Sequence, residues 1–279
     1  MNSRDIEKET FLYNGNPLPA SEFDPSKATK YPSVYEVIRV IGGVPLFWES
    51  HFDRLQKSIA MAGSSYRCCR EDLYQQMKWL IRENRVHDYN LKIILNDFSN
   101  NSTPHIYLLF ITTRYPTNEE LSQGVPVITH LAERSNPNAK IIAVDFRVPI
   151  LNVLQQSGAY EALLVNHRGE ITEGSRSNFF VIKDAVFYTP PADRILEGIT
   201  RQVVIRLLER LGYPLITAPM TINFIRESDG LFLTGTSPGI LPVNRVDDHP
   251  LNIDLKPLQD LQRLFHHFIQ TYLSVHREE

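Results

Sequence analysis

Apolar and polar positions alternate with period two over Ser33–Val40 (SVYEVIRV), a run rich in β-branched and aromatic residues that predicts a strand. Gly42-Gly43 then turns the chain toward Pro45–Trp48, the pattern of a hairpin. From Ser50 the period lengthens. Phe52, Leu55, Ile59 and Ala62 recur at helical spacing, with Ser50 as the N-cap and Asp53 three residues on. Leu73, Met77, Leu80 and Ile81 predict a second amphipathic helix. Leu91–Leu95 and Ile106–Thr112 read as strands around the polar loop NDFSNNSTP, whose Asn-x-Ser/Thr sequons at Asn100 and Asn101 mark only a loop.

Tyr115–Gly124 (YPTNEELSQG) is polar and flanked by Pro and Gly, so it is the expected connection between two domains. The division is a small N-terminal α+β domain at 1–117, a linker at 118–124 and a larger C-terminal domain at 125–279. In the latter, Val125–Leu131, Tyr160–Asn166, Asn178–Lys183, Ala185–Thr189 and Gly230–Thr234 read as strands, and Ile141 to Gly158 as irregular. Val203, Val204, Leu207, Leu208 and Leu211 share one face of a helix over Ile199–Leu211 that Gly212 ends. Leu255, Leu258, Leu261, Leu264, Phe265 and Phe268 form a C-terminal amphipathic helix. The fold class is α/β (α+β).

A chain of 279 residues with 42% hydrophobic and 22% charged residues buries a sizeable core, and disorder is excluded. The net charge of −3 offers no footprint for nucleic acid. Two adjacent cysteines, Cys68 and Cys69, build no disulfide framework and favour a reducing compartment. No apolar run reaches membrane-spanning length, and MNSRDIEKET has no apolar segment of a secretory signal; the expectation is a cytoplasmic protein without membrane contact.

Three segments set small or hydroxylated residues where elements end: Glu173-Gly-Ser-Arg-Ser-Asn178, Gly198-Ile-Thr-Arg201 and Gly235-Thr-Ser-Pro238. Each either caps a helix or fills a turn; together they also suit a phosphate cup at a helix N-terminus. Neither a P-loop nor a dinucleotide fingerprint occurs, nor a nucleophile elbow, and no His or Cys pair has zinc spacing; His266-His267 reads as a solvated helix face, so no metal is expected. Among the lysines, Lys92 and Lys140 stand out for their apolar neighbours. Such a lysine either snorkels at a strand edge or is buried, and a buried amine suits Schiff-base chemistry.

The segments VYEVIRV, SHFDRL, AKII, GAYEALLVNHRGEITEGSRSNFFVIKD, YTPP, ILEGITRQVV and FLTGTSPGILPVNRVD occur in this order from about Val34 to Val246. In these the chain resembles the class IV aminotransferases, pyridoxal-phosphate enzymes of fold type IV that include branched-chain and D-amino-acid aminotransferases and aminodeoxychorismate lyase. The resemblance implies two domains with the active site between them, a homodimer, and pyridoxal 5'-phosphate as cofactor. It makes Lys140 the Schiff-base lysine and Glu173 the carboxylate facing the pyridinium nitrogen. Arg54 matches the phosphate arginine, Ile199 and Thr200 the helix N-terminus on that phosphate, and Thr236 its hydroxyl ligand, with Ser177 close by. Leu196 corresponds to the residue packed on the pyridine face. Tyr35, Lys92, Arg39, Thr236 and Ser237 fall on the substrate side, Lys92 where branched-chain enzymes carry an arginine.

The sequence also departs from the family. IIAVDFR puts Asp145 where many relatives have a tyrosine on the cofactor's phenolic oxygen, with Arg147 as the nearby compensating cation. The D-selective enzymes' Arg and His pair is not visible in NDFSNNSTPH, where loop residue His105 is the only stand-in; Arg176 adds a cation inside the GSRSN turn. The implied reaction is transfer of an amino group from an amino acid to a 2-oxo acid. Two alternatives stay open: an aminodeoxychorismate lyase-type elimination, and a cofactor-binding homologue with poor turnover.

Overall fold

In the computed structural model, which describes residues 6–30, 33–98 and 104–277, the chain divides into two units. The first comprises Met1–Arg114, Ala139–Ile142 and Ile269–Glu279; the second comprises Tyr115–Asn138 and Ala143–Phe268.

The first unit holds β1 (Thr10–Tyr13), β2 (Asn16–Pro19), α1 (Pro25–Ala28), β3 (Val34–Ile41), β4 (Val44–Pro45), α2 (Trp48–Met61), α3 (Arg70–Glu83), β5 (Tyr89–Asn96) and β6 (His105–Ile111). Among the described residues its strands form one antiparallel sheet in the order β2-β1-β6-β5-β3-β4. The period-two pattern of β3 sorts its side chains. Val34, Ile38 and Val40 join Leu91, Ile93, Leu95, Leu108 and Phe110 in a core covered by Trp48, Phe52, Leu55 and Ile59 of α2 and by Leu73, Met77, Leu80 and Ile81 of α3. Each such side chain contributes about 1.5–3 kcal/mol on burial. Tyr35, Val37 and Arg39 take the opposite face, and the register sets Val37 against Lys92 and Tyr35 against Ile94. A second apolar cluster on Phe11, Phe23, Ile94, Tyr107 and Leu109 packs there, with Tyr35 and Ile142 against it.

The second unit holds α4 (Asn118–Gln123), β7 (Val125–Leu131), α5 (Val144–Ser157), β8 (Glu161–Val165), β9 (Glu170–Gly174), β10 (Asn178–Lys183), β11 (Val186–Thr189), α6 (Ile199–Leu211), β12 (Leu215–Thr217), β13 (Met220–Thr221), α7 (Ile222–Arg226), β14 (Gly230–Gly235), β15 (Gly239–Val246), β16 (His249–Pro250) and α8 (Lys256–His276). The C-terminal end of α8, from Ile269, belongs to the first unit. A mixed sheet runs β12-β11-β10-β14-β15-β7-β8-β9-β13, with β16 beside β15. One of its faces is closed by Phe179, Val181, Leu231, Leu233, Leu241 and Val243.

The stretch 118–124 carries α4: Thr117 and Glu120 form a reciprocal capping box at its start, so this polar run satisfies its own backbone. Three expectations are corrected. The stretch from Ile141 to Gly158 contains α5, hidden from the pattern because Pro149 lies inside it and because Val144, Val148 and Leu151 are exposed apolar residues. Helix α2 starts at Trp48 behind Phe47, which takes a positive φ of 55°, so Ser50 lies inside the helix and the second hairpin arm stops at Pro45. His105 opens β6 instead of lying in a loop, with its Nδ1 2.6 Å from the Tyr13 hydroxyl. The sequons at Asn100 and Asn101 fall outside the described residues. No helix among the described residues is long and apolar enough to cross a membrane.

Candidate active site

The first unit sets two of the expected residues at the ring of a third, Tyr35. Lys92, on β5 and only 7% exposed, sets its Nζ 4.9 Å from the centre of the Tyr35 ring, and the Nζ of Lys140 lies 4.7 Å from the same centre. Lys140 sits outside any regular strand, at a tight turn closed by Ile141 N–H on Ala139 O (3.0 Å), next to an isolated Val34–Ile141 bridge to the start of β3. Its carbonyl accepts from Tyr35 N–H (3.0 Å), its N–H donates to Ser58 Oγ on α2 (3.2 Å), and Ile142 N–H donates to Ser33 O (2.8 Å). This backbone cannot shift without breaking hydrogen bonds to two elements, so the base of the lysine side chain is fixed. Arg39, half-buried, shares the face of Tyr35 as the alternation requires.

On the opposite face lies a group that sequence reasoning missed. Glu36 is 0% exposed and receives Arg54 Nε on one carboxylate oxygen and Arg54 Nη2 on the other, both at 2.7 Å; His51 Nδ1 donates to it at 2.8 Å. Burial pushes the Glu36 carboxyl up, but the charge and hydrogen bonds of Arg54 and the bond from His51 outweigh it and hold the group well below the usual carboxylate range. His51 is pushed down, chiefly by burial, with its bond to Glu36 opposing and the charges of Arg54 and Lys140 assisting; it is the neutral imidazole, protonated on Nδ1. The signal was present: an acid at an inward position between Val34 and Ile38 needs a buried cation.

In the second unit, Glu173 on β9 is 3% exposed. Arg134 Nε donates to it at 2.9 Å and Leu196 N–H at 3.2 Å, while Arg134 Nη2 donates to Ser175 O at 2.7 Å. Arg134 also lies 5.1 Å from the Phe146 ring of α5. Glu173 and Arg134 line a cavity of about 270 Å³ together with Arg194, Glu170, His167 and Asn166. Beyond Glu173 the turn is held by a second unforeseen acid, the buried Glu161, which accepts from Ser175 Oγ (2.5 Å), Ser177 Oγ (2.9 Å), Ser175 N–H and Arg176 N–H (both 3.1 Å). The one hydroxyl proton of Ser177 therefore goes to Glu161. A Cβ at Gly174 would lie 2.1 Å from Ser177 Oγ, so a side chain there would displace that hydroxyl from Glu161.

Ile199 and Thr200 are buried and begin α6, whose N-cap Gly198 provides no side-chain cap for the first N–H groups. Asn178 fixes the entry: Nδ2 donates to Leu196 O (2.9 Å), and Oδ1 accepts from Gly198 N–H (3.0 Å). A Cβ on Gly198 would sit 2.2 Å from that Oδ1. Thr236 and Ser237, half-buried, form the turn between β14 and β15. Asp145 is an exposed residue in the first turn of α5, where a carboxylate suits the helix dipole, and Arg147 is exposed as well. Arg176 is exposed, its guanidinium on Tyr160 O at 3.4 Å, and His266 and His267 are exposed on α8.

Similarity to known proteins identifies the family. The profile of the amino-transferase class IV family matches residues 33–246, and the chain belongs to that family of pyridoxal-phosphate-dependent transaminases. A D-alanine aminotransferase of Listeria monocytogenes serotype 4b (strain F2365) is 34% identical over 227 residues, which cover 77% of this chain and 78% of the relative. The branched-chain amino acid aminotransferase of Escherichia coli shares the fold with a TM-score of 0.84 at 20% identity, over 94% of this chain and 95% of that one. A branched-chain amino acid aminotransferase from T.th., solved with pyridoxamine 5'-phosphate, does so with a TM-score of 0.82 at 24% identity, over 95% of both chains. The fold is that of the fold type IV aminotransferases.

The residues fit the family's cofactor, pyridoxal 5'-phosphate, by the chemistry of their donors. The first unit offers an amine (Lys140) and a guanidinium (Arg54). The second offers a carboxylate for a protonated ring nitrogen (Glu173) and, at α6, first-turn N–H groups that no side chain caps.

Proposed function

We propose that this chain transfers an amino group from an amino acid to a 2-oxo acid, with Lys140 as the Schiff-base lysine. The observation that carries the reading is the fixed backbone of Lys140, whose Nζ lies at the Tyr35 ring beside the buried Lys92. Pyridoxal phosphate, when bound, supplies a sink for the electrons left at the substrate Cα. The rest is the work of the protein. Lys140 Nζ moves the proton at that Cα. Glu173, held in place by Arg134, keeps the proton on the ring nitrogen. Arg54, the N–H groups of Ile199 and Thr200, and the Thr236 hydroxyl bind the phosphate, and Leu196 packs on the ring. Lys92, assisted by Arg39, pairs with the substrate carboxylate, and Tyr35 and Ser237 line its path.

We assign the working form as a homodimer in the cytoplasm. The exposed apolar positions Val144, Val148 and Leu151 on α5 support a covered face, and the free thiols of Cys68 and Cys69 suit a reducing compartment. Borohydride reduction of the holoenzyme and peptide mapping should place the label on Lys140, and Lys140→Ala should abolish transamination. A label on Lys92 would move the role there. A screen of L- and D-amino donors with 2-oxoglutarate, run beside aminodeoxychorismate, tests the reaction: pyruvate from the latter without amino transfer would replace the transaminase by a lyase.

A further inference from the structure

The cluster of Glu36, Arg54 and His51 is more elaborate than a phosphate-binding arginine alone requires. An arginine on a flexible stem reaches an anion from many directions, and each direction lost costs conformational entropy on binding. Here two of the five guanidinium N–H donors are engaged side-on by one carboxylate, at equal distances of 2.7 Å. That pairing fixes the plane of the fork and hence the direction of every other N–H it carries. The carboxylate is fixed in turn. It sits on an inward position of β3, paired in register with Ile93 of β5, and takes a third bond from His51, one turn before Arg54 on α2. Strand, helix and imidazole thus determine where the guanidinium points.

The electrostatics fit this purpose better than stabilisation alone. A buried ion pair adds little net stability over an apolar pair of equal volume, because desolvating both charges offsets their attraction. What such a pair gives is geometry. Its charges also sum to zero with His51 neutral, so a dianion approaching Arg54 meets a guanidinium whose orientation has been settled beforehand, the condition under which binding is tight.

We propose that Glu36 is a positioning residue for cofactor capture: it pre-orients Arg54 toward the phosphate of pyridoxal phosphate, with His51 holding Glu36 from the other side. The proposal rests on the reading of Arg54 as a phosphate ligand, and it concerns binding of the phosphate, not the chemistry at Cα.

The test measures dissociation constants for pyridoxal phosphate and for pyridoxal, which lacks the phosphate, on the cofactor-depleted full-length chain. The ratio of the two isolates the phosphate contribution. Arg54→Leu should weaken pyridoxal phosphate and leave pyridoxal nearly unchanged. Glu36→Gln, which keeps the size but not the charge, should shrink the ratio about ten- to hundredfold, and Glu36→Gln with Arg54→Leu should shrink it no further than Arg54→Leu alone. Equal weakening of both ligands by Glu36→Gln would overturn the proposal by making Glu36 merely structural; an unchanged ratio in Arg54→Leu would overturn the assignment of Arg54 instead. Should Glu36→Gln fail to fold, Glu36→Asp retains the buried charge while withdrawing the carboxylate from the fork. A smaller ratio in that variant, at an unchanged melting temperature, supports the proposal; a wild-type ratio refutes it.

Discussion

The two units each contain a buried carboxylate gripped by an arginine, yet the pairs are built in opposite senses. In the first, Glu36 is wholly buried and takes two nitrogens of Arg54, one on each oxygen. In the second, Arg134 divides its fork, Nε to Glu173 and Nη2 to the carbonyl of Ser175, and the other oxygen of Glu173 is met by Leu196 N–H. A side-on bidentate pair orients the guanidinium. A divided fork ties the carboxylate to the backbone of its own turn and so orients the acid. In the function proposed above, the same two residue types serve a cation aimed at a phosphate in one unit and an anion aimed at a ring nitrogen in the other.

The largest effect should come from the acid of the second pair. Glu173→Gln keeps the shape but cannot hold a proton on the ring nitrogen, and kcat should fall about 10²- to 10⁴-fold with the melting temperature little changed. A rate near wild type would break the comparison, because Glu173 would then be no more than the partner of Arg134. Arg134→Met comes next. It removes the fork that ties the Glu173 carboxylate to the Ser175 carbonyl, so the acid is no longer held in one position and the loss of kcat should be about tenfold. Adding Arg134→Met to Glu173→Gln should cost little more, since Arg134 acts through the acid. Additive losses would give Arg134 a role of its own.

The sequence showed one half of each pair and concealed the other. Arg54 and Glu173 stand in segments, SHFDRL and ITEGSRSN, whose order along the chain identifies the family. Regular periods were equally plain: the strand at Val125–Leu131 and the helix at Ile199–Leu211 end where the pattern ends, the helix at Gly212 with φ 74°. The partners Glu36 and Arg134 were not visible because they are joined to them only through the fold. Glu36 occupies an inward position that the alternation marks as apolar, and Arg134 lies in a polar loop with no period at all. Glu161 escaped notice in the same way, as the first residue of an apolar run, although it accepts from Ser175, Arg176 and Ser177 of the GSRSN turn. Helix α5 was hidden for a different reason, since an internal proline and an exposed apolar face erase the amphipathic signature that a sequence can display.

The smallest effect concerns acid sensitivity and belongs to the first pair. Burial, aided by the charges of Arg54 and Lys140, keeps His51 neutral below the pH at which a free histidine takes its proton, about 6.5. The unfolded chain therefore binds more protons than the folded one as the pH falls through that value, and stability that is complete above it declines below it. Glu36 acts lower. Its folded carboxyl titrates well below the ordinary value of about 4.3, so its contribution is present above that value and is lost only as the pH falls through the depressed range. Acid unfolding of the first unit should thus proceed in two separable stages. His51→Gln, which retains a donor but does not titrate, should flatten the upper stage by up to about 1.4 kcal/mol per pH unit, a few degrees of melting temperature, and leave the lower one intact. If the melting temperature between pH 6.5 and 5 declines equally in both proteins, the imidazole is not the group that resists protonation, and the positioning of Arg54 does not depend on its neutrality.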